Sequence, residues 1–297
     1  MRHISRLEGG KKIFKTTKEY QEYVAKLDEN YRLIHRDRSR RHRRDVCRAT
    51  CRRPAPALPY FEYYYVHHHR KERDAVRSSQ KFSLVHPTRG RPHQAWLCMC
   101  LWTSMISQHN ELEYILSLDY EDCNKYRDMA AAMCGKVNFR LVTGENKTMV
   151  EALNRGAAMA EGDVIIYISD DFLCPENWDL VVQEAVKSKG DDWFLLVHDG
   201  IQDQTATISI VSRKYYNRLG WMYYPEYSSM YADPDATEVA RRLGKLVDVT
   251  KTVTFKHNHY TVGGMKYDET SERQSGAAAW KRGREIFNRR KEENFGV

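Results

Sequence analysis

Two adjacent carboxylates, Asp170 and Asp171, directly follow the apolar run Asp163–Ser169. Val, Ile and Tyr in this run, bounded by Gly162 and Pro175, predict a buried strand. Adjacent carboxylates repel one another, and a divalent cation with oxygen ligands neutralises both charges. A polar turn after a core strand is the alternative explanation. Because open α/β sheets bind ligands at the carboxyl ends of their strands, the pair predicts a metal site there.

Strand-like and helix-like segments alternate around this pair, which predicts βαβ units and a mainly parallel sheet flanked by helices. The strands are expected at Phe82–His86, Tyr114–Leu118, Phe139–Thr143, Asp163–Ser169, Trp193–His198, Ala206–Val211 and Val253–Lys256. The helices are expected at Gln94–Gln108, Thr148–Ala160 and Asn177–Lys189, with a basic amphipathic helix at Ala277–Lys291. The predicted fold class is therefore α/β.

Further polar residues are expected at the same edge of the sheet. Thr88, Arg89 and Arg91 lie in the turn after the first strand, and Asp119 ends the second. Asn154 lies on the helix before Asp170. A first βα turn is a common ligand-binding position in such folds.

These motifs together resemble the family 2-like glycosyltransferases of the GT-A fold. The similarity covers about residues 80–275 and rests on Val85–Pro92, Leu118-Asp119, Ala152–Asp163 and Ser169–Asp171. It implies a Rossmann-like GT-A domain over residues 81–297, with a basic appendage over residues 1–80. The resemblance extends to phage enzymes that modify DNA.

The resemblance also implies site residues. Those for the nucleotide-sugar donor, expected to be a UDP-sugar, are Pro87, Thr88, Arg89, Arg91, Asp119, Asn154 and Asp170. Asp170 and Asp171 correspond to the motif that binds Mn²⁺ or Mg²⁺. Ile168 stands where many relatives have a further Asp, which leaves open which carboxylate contacts the metal.

Two histidines after the last predicted strand, His257 and His259, alternate on an extended segment, so both rings can point to one side. By the resemblance, one of them is the third metal ligand. The alternative is a pair of ordinary edge-strand histidines.

A second acidic cluster contains Asp233 and Asp235, followed by Glu238. An inverting transfer requires a carboxylate that takes the proton of the acceptor hydroxyl. Asp233 is the preferred candidate and Asp235 the second, because Asp235 with Glu238 also fits a helix-capping box.

The charge of the chain is concentrated near its start. Residues 31–53 contain ten arginines and two aspartates, a surplus equal to the net charge of +8 for all 297 residues. Guanidinium groups bind phosphates in a bidentate manner, so nucleic acid is a candidate partner; a solvated basic arm without a partner is the alternative. The arginines assigned to nucleic-acid binding are Arg38, Arg40, Arg41, Arg43 and Arg44.

The overall expectation is a cytoplasmic, metal-dependent hexosyl- or pentosyltransferase without a membrane partner, in the host cytoplasm if the protein is viral. The mean hydropathy is −0.72, and no run of apolar residues is long enough to span a membrane. The favoured acceptor is a hydroxymethylated base in DNA, and a glycan, a protein or a small molecule is the alternative. The rivals from other classes are an inactive GT-A domain that binds nucleic acid and a nucleotidyltransferase.

Overall fold

The structure is a computed structural model that describes residues 78–133 and 137–297. The strands are β1 (Lys81–Pro87), β2 (Glu111–Asp119), β3 (Asn138–Gly144), β4 (Val164–Tyr167), β5 (Phe172–Leu173), β6 (Phe194–Leu196), β7 (Ile210–Ser212), β8 (Leu246–Asp248) and β9 (Lys256–His257). The α-helices are α1 (Pro92–Ser104), α2 (Cys123–Met133), α3 (Met149–Ala158), α4 (Trp178–Val186), α5 (Arg213–Leu219), α6 (Ala232–Arg242), α7 (Glu269–Ser275) and α8 (Ala277–Glu292).

Seven strands form one sheet in the order β3-β2-β1-β4-β7-β6-β8. All neighbouring strands in it are parallel except at β7, which runs antiparallel to both β4 and β6. The predicted α/β class with a mainly parallel sheet is therefore confirmed. A separate two-stranded sheet pairs β5 with β9 and places Phe172 opposite His257.

Helices cover both faces of the sheet. On one face the ring of Phe82 lies 5.4 Å from that of Trp178, which in turn lies 5.5 Å from Trp102. On the other face α3 lies so close that a Cβ added at Gly156 would be 2.7 Å from Val85 Cγ1. Only glycine permits this approach, and it brings α3 directly onto β1 and β2.

The structure corrects the bounds of several predicted elements. The strand expected at Val253–Lys256 is β9, Lys256–His257, and Thr254 forms only an isolated bridge with His198. The strand expected at Ala206–Val211 occupies Ile210–Ser212, because the residues before it bond elsewhere. Ala206 N donates to the Thr237 hydroxyl and its carbonyl accepts from Ser209 Oγ. The helix expected at Gln94–Gln108 spans Pro92–Ser104, with proline at its first position, where no N–H is needed.

Within residues 78–133 and 137–297, no helix combines the length and apolar character needed to cross a membrane. The predicted appendage, residues 1–80, is described only from residue 78 onward. The arginines assigned to nucleic-acid binding therefore lie outside the described residues: Arg38, Arg40, Arg41, Arg43 and Arg44.

Candidate active site

Residues of β1 and of the turn after it hold the carboxylate of Asp170. His86 Nε2 lies 3.0 Å from Asp170 Oδ1, and Thr88 Oγ1 donates to Oδ2 at 3.1 Å. The other ring nitrogen of His86 lies 2.6 Å from the Tyr114 hydroxyl. Burial raises the pKa of Tyr114 well above its usual value, so its phenol stays protonated and donates to His86 Nδ1. The remaining ring proton of His86 is then on Nε2, which is placed to donate to Asp170 Oδ1.

Asp171 is buried beside the two-stranded sheet of β5 and β9. His257 Nε2 lies 3.1 Å from Asp171 Oδ2, and Asn258 N donates to the Asp171 carbonyl at 2.8 Å. Burial acts to raise the pKa of Asp171, but hydrogen bonds from His257 and Ser169 outweigh it and lower the pKa below its usual value. Asp171 is therefore a buried carboxylate that remains ionised.

Asp171 Oδ1 is buried, and no described residue forms a hydrogen bond with it. A buried anionic oxygen without a donor is costly and is the type of atom that a divalent cation binds. Within the described ranges, no group of three or more His, Cys, Asp or Glu side chains is arranged around a common metal position. The donor set thus fits an ion of the Mg²⁺ or Mn²⁺ type held by one or two carboxylates and completed by substrate phosphates.

His257 and His259 are brought together, with ring centroids 4.7 Å apart. His259 Nδ1 lies 2.9 Å from Thr261 Oγ1, so a metal would have to bind His259 through Nε2. Burial, helped by the charge of His257, lowers the pKa of His259 below its usual value. A neutral imidazole is the form that binds a metal.

The turn after β1 is held by three ion pairs formed by two arginines. Arg89 bonds Asp119, at the end of β2, and Glu121 at 2.6 Å. Buried Arg91 bonds Asp268 through two nitrogens. Its Nη2 also donates to Ser271 Oγ at 2.7 Å. Arg91 therefore ties the β1 turn to α7, and those donors are already occupied.

A cavity of about 120 Å³ lies over this turn. Its lining includes Pro87, Thr88, Arg89, Asp119, Asn146, Lys147, Thr148 and Arg273. Arg91 and Asn154 are not among its lining residues. Asn154 instead holds the segment before α6, because it donates to Tyr223 O at 2.7 Å and accepts from Met222 N at 2.9 Å.

Asp233 lies in the first turn of α6 and is half-buried. Burial raises the pKa of its carboxyl to about 6, opposed by its backbone hydrogen bond, the charge of His257 and the Thr205 hydroxyl. A carboxylate with this pKa is ionised at neutral pH yet basic enough to accept a proton.

Asp235, two residues later, is buried and already paired. Arg290 of α8 donates to it through Nε at 2.6 Å and through Nη2 at 3.2 Å, and Tyr227 OH donates at 3.1 Å. Burial raises the pKa of Asp235, opposed by the hydrogen bond from Arg290. Its position inside α6 gives it a packing role, and it does not cap the helix as the sequence pattern suggested.

Three residues at this edge of the sheet were not predicted from the sequence as site residues: His86, Tyr126 and Asn146. Tyr126 OH lies 3.0 Å from Thr88 Oγ1 and accepts from Arg91 N at 3.0 Å, which fixes the β1 turn. His86 was recognisable as a polar residue inside an apolar strand. Tyr126 and Asn146 gave no sequence signal, because only the fold brings them to the edge.

Several known structures are similar to this chain. One is the mannosyltransferase PcManGT from Pyrobaculum calidifontis in complex with GDP-Man and Mn²⁺, with 11% identity, TM-score 0.46, and coverage of 74% of this chain and 79% of that one. A second is TarS residues 1–349 from S. aureus, with 11% identity, TM-score 0.49, and coverage of 59% and 60%.

A third is glucosyl-3-phosphoglycerate synthase from Mycobacterium tuberculosis in complex with Mn²⁺, uridine diphosphate and phosphoglyceric acid, with 14% identity, TM-score 0.46, and coverage of 69% and 78%. No curated protein sequence matches the chain.

The sequence profile described as Glycosyl transferase family 2 matches residues 83–241. This match covers more than half of the chain. It runs from β1 into α6 and includes Asp170, Asp171 and Asp233. The chain belongs to glycosyl transferase family 2.

Proposed function

We propose that residues 81–297 form a metal-dependent glycosyltransferase domain that moves a sugar from a nucleotide-sugar donor to a hydroxyl group, and that residues 1–80 form a basic appendage. The observation that carries this proposal is the buried Asp171 Oδ1, which has no donor among the described residues. This oxygen belongs to the Asp171 carboxylate, whose pKa is lowered below its usual value, and the positive charge of Arg91 contributes to that lowering.

The 120 Å³ cavity is the proposed site of the ribose or base of the donor, since a whole nucleotide occupies a larger volume. Asp119 is 6% exposed and accepts from Arg89, so the pair presents a fixed acceptor and a fixed cation to a ribose or base. Lys147 and Arg273 lie at the same cavity and attract the donor diphosphate. A bound Mn²⁺ or Mg²⁺ would supply Lewis-acid stabilisation of the leaving diphosphate, with the carboxylates of Asp170 and Asp171 as its proposed ligands.

Asp233 is the proposed general base of an inverting transfer. With a pKa of about 6 it takes the proton of the acceptor hydroxyl while that oxygen attacks the sugar from the face opposite the diphosphate. Asp235 is the weaker candidate, because its carboxylate already accepts three hydrogen bonds from Arg290 and Tyr227.

A hydroxymethylated base in DNA is the proposed acceptor. The support is the excess of arginine over residues 31–53, since guanidinium groups bind phosphates strongly. An acceptor base in a duplex has to be unstacked before its hydroxyl reaches Asp233.

The test is a panel of nucleotide sugars, with UDP-sugars first, incubated with the full chain and Mn²⁺. Nucleotide release is measured alone, with hydroxymethylated DNA, with unmodified DNA, and with glycan or protein hydroxyls. Release stimulated only by hydroxymethylated DNA, with a hexose or pentose added to the base by mass spectrometry, supports the proposal. Stimulation by a glycan or protein instead rejects DNA as acceptor.

A further inference from the structure

Helix α8 presents a row of exposed side chains, here called the α8 stripe: Trp280, Lys281, Arg284, Asn288 and Lys291. At 100° per residue these positions fall on one face of the helix, within an arc of about 100°. The stripe extends about 16 Å along the helix axis, because an α-helix rises about 1.5 Å per residue. Trp280 is 51% exposed, which is unusual for so large an apolar side chain.

The cations of the α8 stripe have no partner among the described residues. Lys281, Arg284 and Lys291 form no ion pair or hydrogen bond there. Two other cations of the helix are engaged: Arg289 pairs with Glu226 at 2.6 Å, and Arg290 is buried against Asp235. Arg282 is exposed and lies outside the stripe. Two glutamates of α8 flank one border of the stripe, Glu285 and Glu292. The stripe therefore keeps three uncompensated positive charges.

The helix that presents the stripe is fixed to α6. Arg290 pairs with Asp235 and lies 3.6 Å from the centroid of the Tyr224 ring. A Cβ added at Gly283 would collide with the carbonyl of Met230, so α8 packs directly on the segment before α6. The stripe is thus presented on a rigid support and needs little ordering on binding.

Both ends of the stripe border the first turn of α6. The ring of Trp280 packs edge-on against Tyr231 at 5.6 Å, and Tyr231 precedes Asp233 by two residues. At the other end Lys291 lines a cavity of about 540 Å³ together with Thr205 and Pro234. Thr205 hydrogen-bonds the carboxylate of Asp233.

We propose that the α8 stripe binds an unpaired DNA strand and directs it toward Asp233. Three cations suit the phosphates, and an exposed indole suits the face of an unstacked base. A membrane surface fits less well, because a helix that lies on a bilayer uses its apolar face, and in α8 Ile286 is buried and Gly283 packs on the segment before α6. This inference rests on the proposed function, since it assigns the surface that holds its DNA acceptor.

The test is fluorescence anisotropy of a short labelled single-stranded DNA with the full chain at about 50 mM and 200 mM salt. The variant combines Lys281→Ser, Arg284→Ser and Lys291→Ser. For three lost phosphate contacts, binding at about 0.1 M salt should weaken roughly 10²-fold, and the slope of log K against log salt should become shallower by about 2.

The matched control removes two lysines and one arginine that are exposed, lie outside the stripe and likewise form no ion pair with a described residue: Lys189→Ser, Lys251→Ser and Arg282→Ser. It should bind DNA within about threefold of wild type, as expected for cations that contact no phosphate. A separate variant, Trp280→Leu, should weaken DNA binding about tenfold and leave heparin binding unchanged, because heparin has no bases to stack.

Equal DNA affinity in the stripe variant and the matched control would overturn the proposal. Equal losses for DNA and heparin in Trp280→Leu would overturn the role of Trp280. Donor hydrolysis without DNA, measured on the same preparations, distinguishes a failure of the α8 stripe from a failure of the proposed DNA acceptor. If wild type transfers sugar to DNA but the stripe variant binds normally, only the stripe is wrong; if wild type hydrolyses donor but binds no DNA, the DNA acceptor is wrong with it.

Discussion

Two aspartates in the first turn of α6 should respond in opposite directions to the same substitution. Asp235→Asn removes the charge that faces Arg290, which is 5% exposed and stacked on Tyr224. Breaking one side of a buried ion pair leaves the other charge unpaired and costs about 3 kcal/mol. For a domain of this size, the melting temperature should fall by roughly 6–12 °C.

Asp233→Asn should instead stabilise the fold at neutral pH. The pKa of Asp233 is about 6 in the folded protein against an ordinary 3.8, so the folded state holds this proton more tightly than the unfolded chain. Stability is therefore lost as the pH rises from about 4 to 6, and the full penalty remains above pH 6. Allowing for its partial exposure, removing the penalty should stabilise by about 1–2 kcal/mol.

The assay is thermal unfolding by circular dichroism at pH 7.5 and at pH 4, without metal. At pH 4 the gain from Asp233→Asn should largely vanish, since Asp233 is then protonated in the folded protein. Glu226→Gln is the control, because it breaks an exposed pair with Arg289 and should cost less than about 1 kcal/mol.

A loss of stability in Asp233→Asn at pH 7.5 as large as that in Asp235→Asn would refute the raised pKa of Asp233. An Asp235→Asn variant that keeps its melting temperature but loses transfer would show that Asp235, and not Asp233, is the base.

Three further outcomes are expected. The transfer rate should rise with pH to a plateau, with its half-maximum near pH 6, because Asp233 must be ionised to accept the proton. Asp233→Asn should lower the transfer rate about 10²-fold or more and leave the affinity for the donor nearly unchanged. A transfer rate that does not depend on pH would contradict this. His257→Ala with His259→Ala should raise the Mn²⁺ concentration needed for half-maximal activity, whereas an unchanged titration would favour ordinary edge-strand histidines. Deleting residues 1–53 should weaken DNA binding and make it less dependent on salt, as measured by fluorescence anisotropy. Donor hydrolysis, measured as nucleotide release, should be unchanged. Equal salt dependence with and without residues 1–53 would contradict a role for them in DNA binding.

The fold class followed from local patterns in the chain. Apolar runs such as Asp163–Ser169 have few ways to be buried, and their alternation with helices restricts the sheet to a mainly parallel one. The antiparallel β7 was not predictable, because strand direction depends on the path of the connections and not on side-chain type. The bounds near Ala206 were missed because Thr237, distant in sequence, takes the backbone N–H of that residue.

The positions of Thr88, Asp119 and Asp170 could be predicted, because each lies at or after a strand end and the structure brings them to the same edge of the sheet. Their functional roles stay predictions. Arg91 and Asn154 show the limit of such reasoning. Both are polar residues of the motif. In the structure, however, Arg91 donates to the carboxylate of Asp268, and Asn154 donates to the carbonyl of Tyr223. Hydrogen-bond partners so far apart in sequence follow only from the fold. The pairing of Arg290 with Asp235, which supports the preference for Asp233 as the proposed base, likewise has no signature in the sequence.

The central claim is that Asp171 helps to bind a divalent cation needed for donor turnover. Nucleotide release from a nucleotide sugar should be measured for wild type and Asp171→Asn across a Mn²⁺ titration, and in EDTA. We expect no turnover in EDTA and a loss of several orders of magnitude in Asp171→Asn, because metal stabilisation supplies several kcal/mol of the barrier reduction. Full activity in EDTA, or an Asp171→Asn variant with the Mn²⁺ titration of wild type, would contradict it.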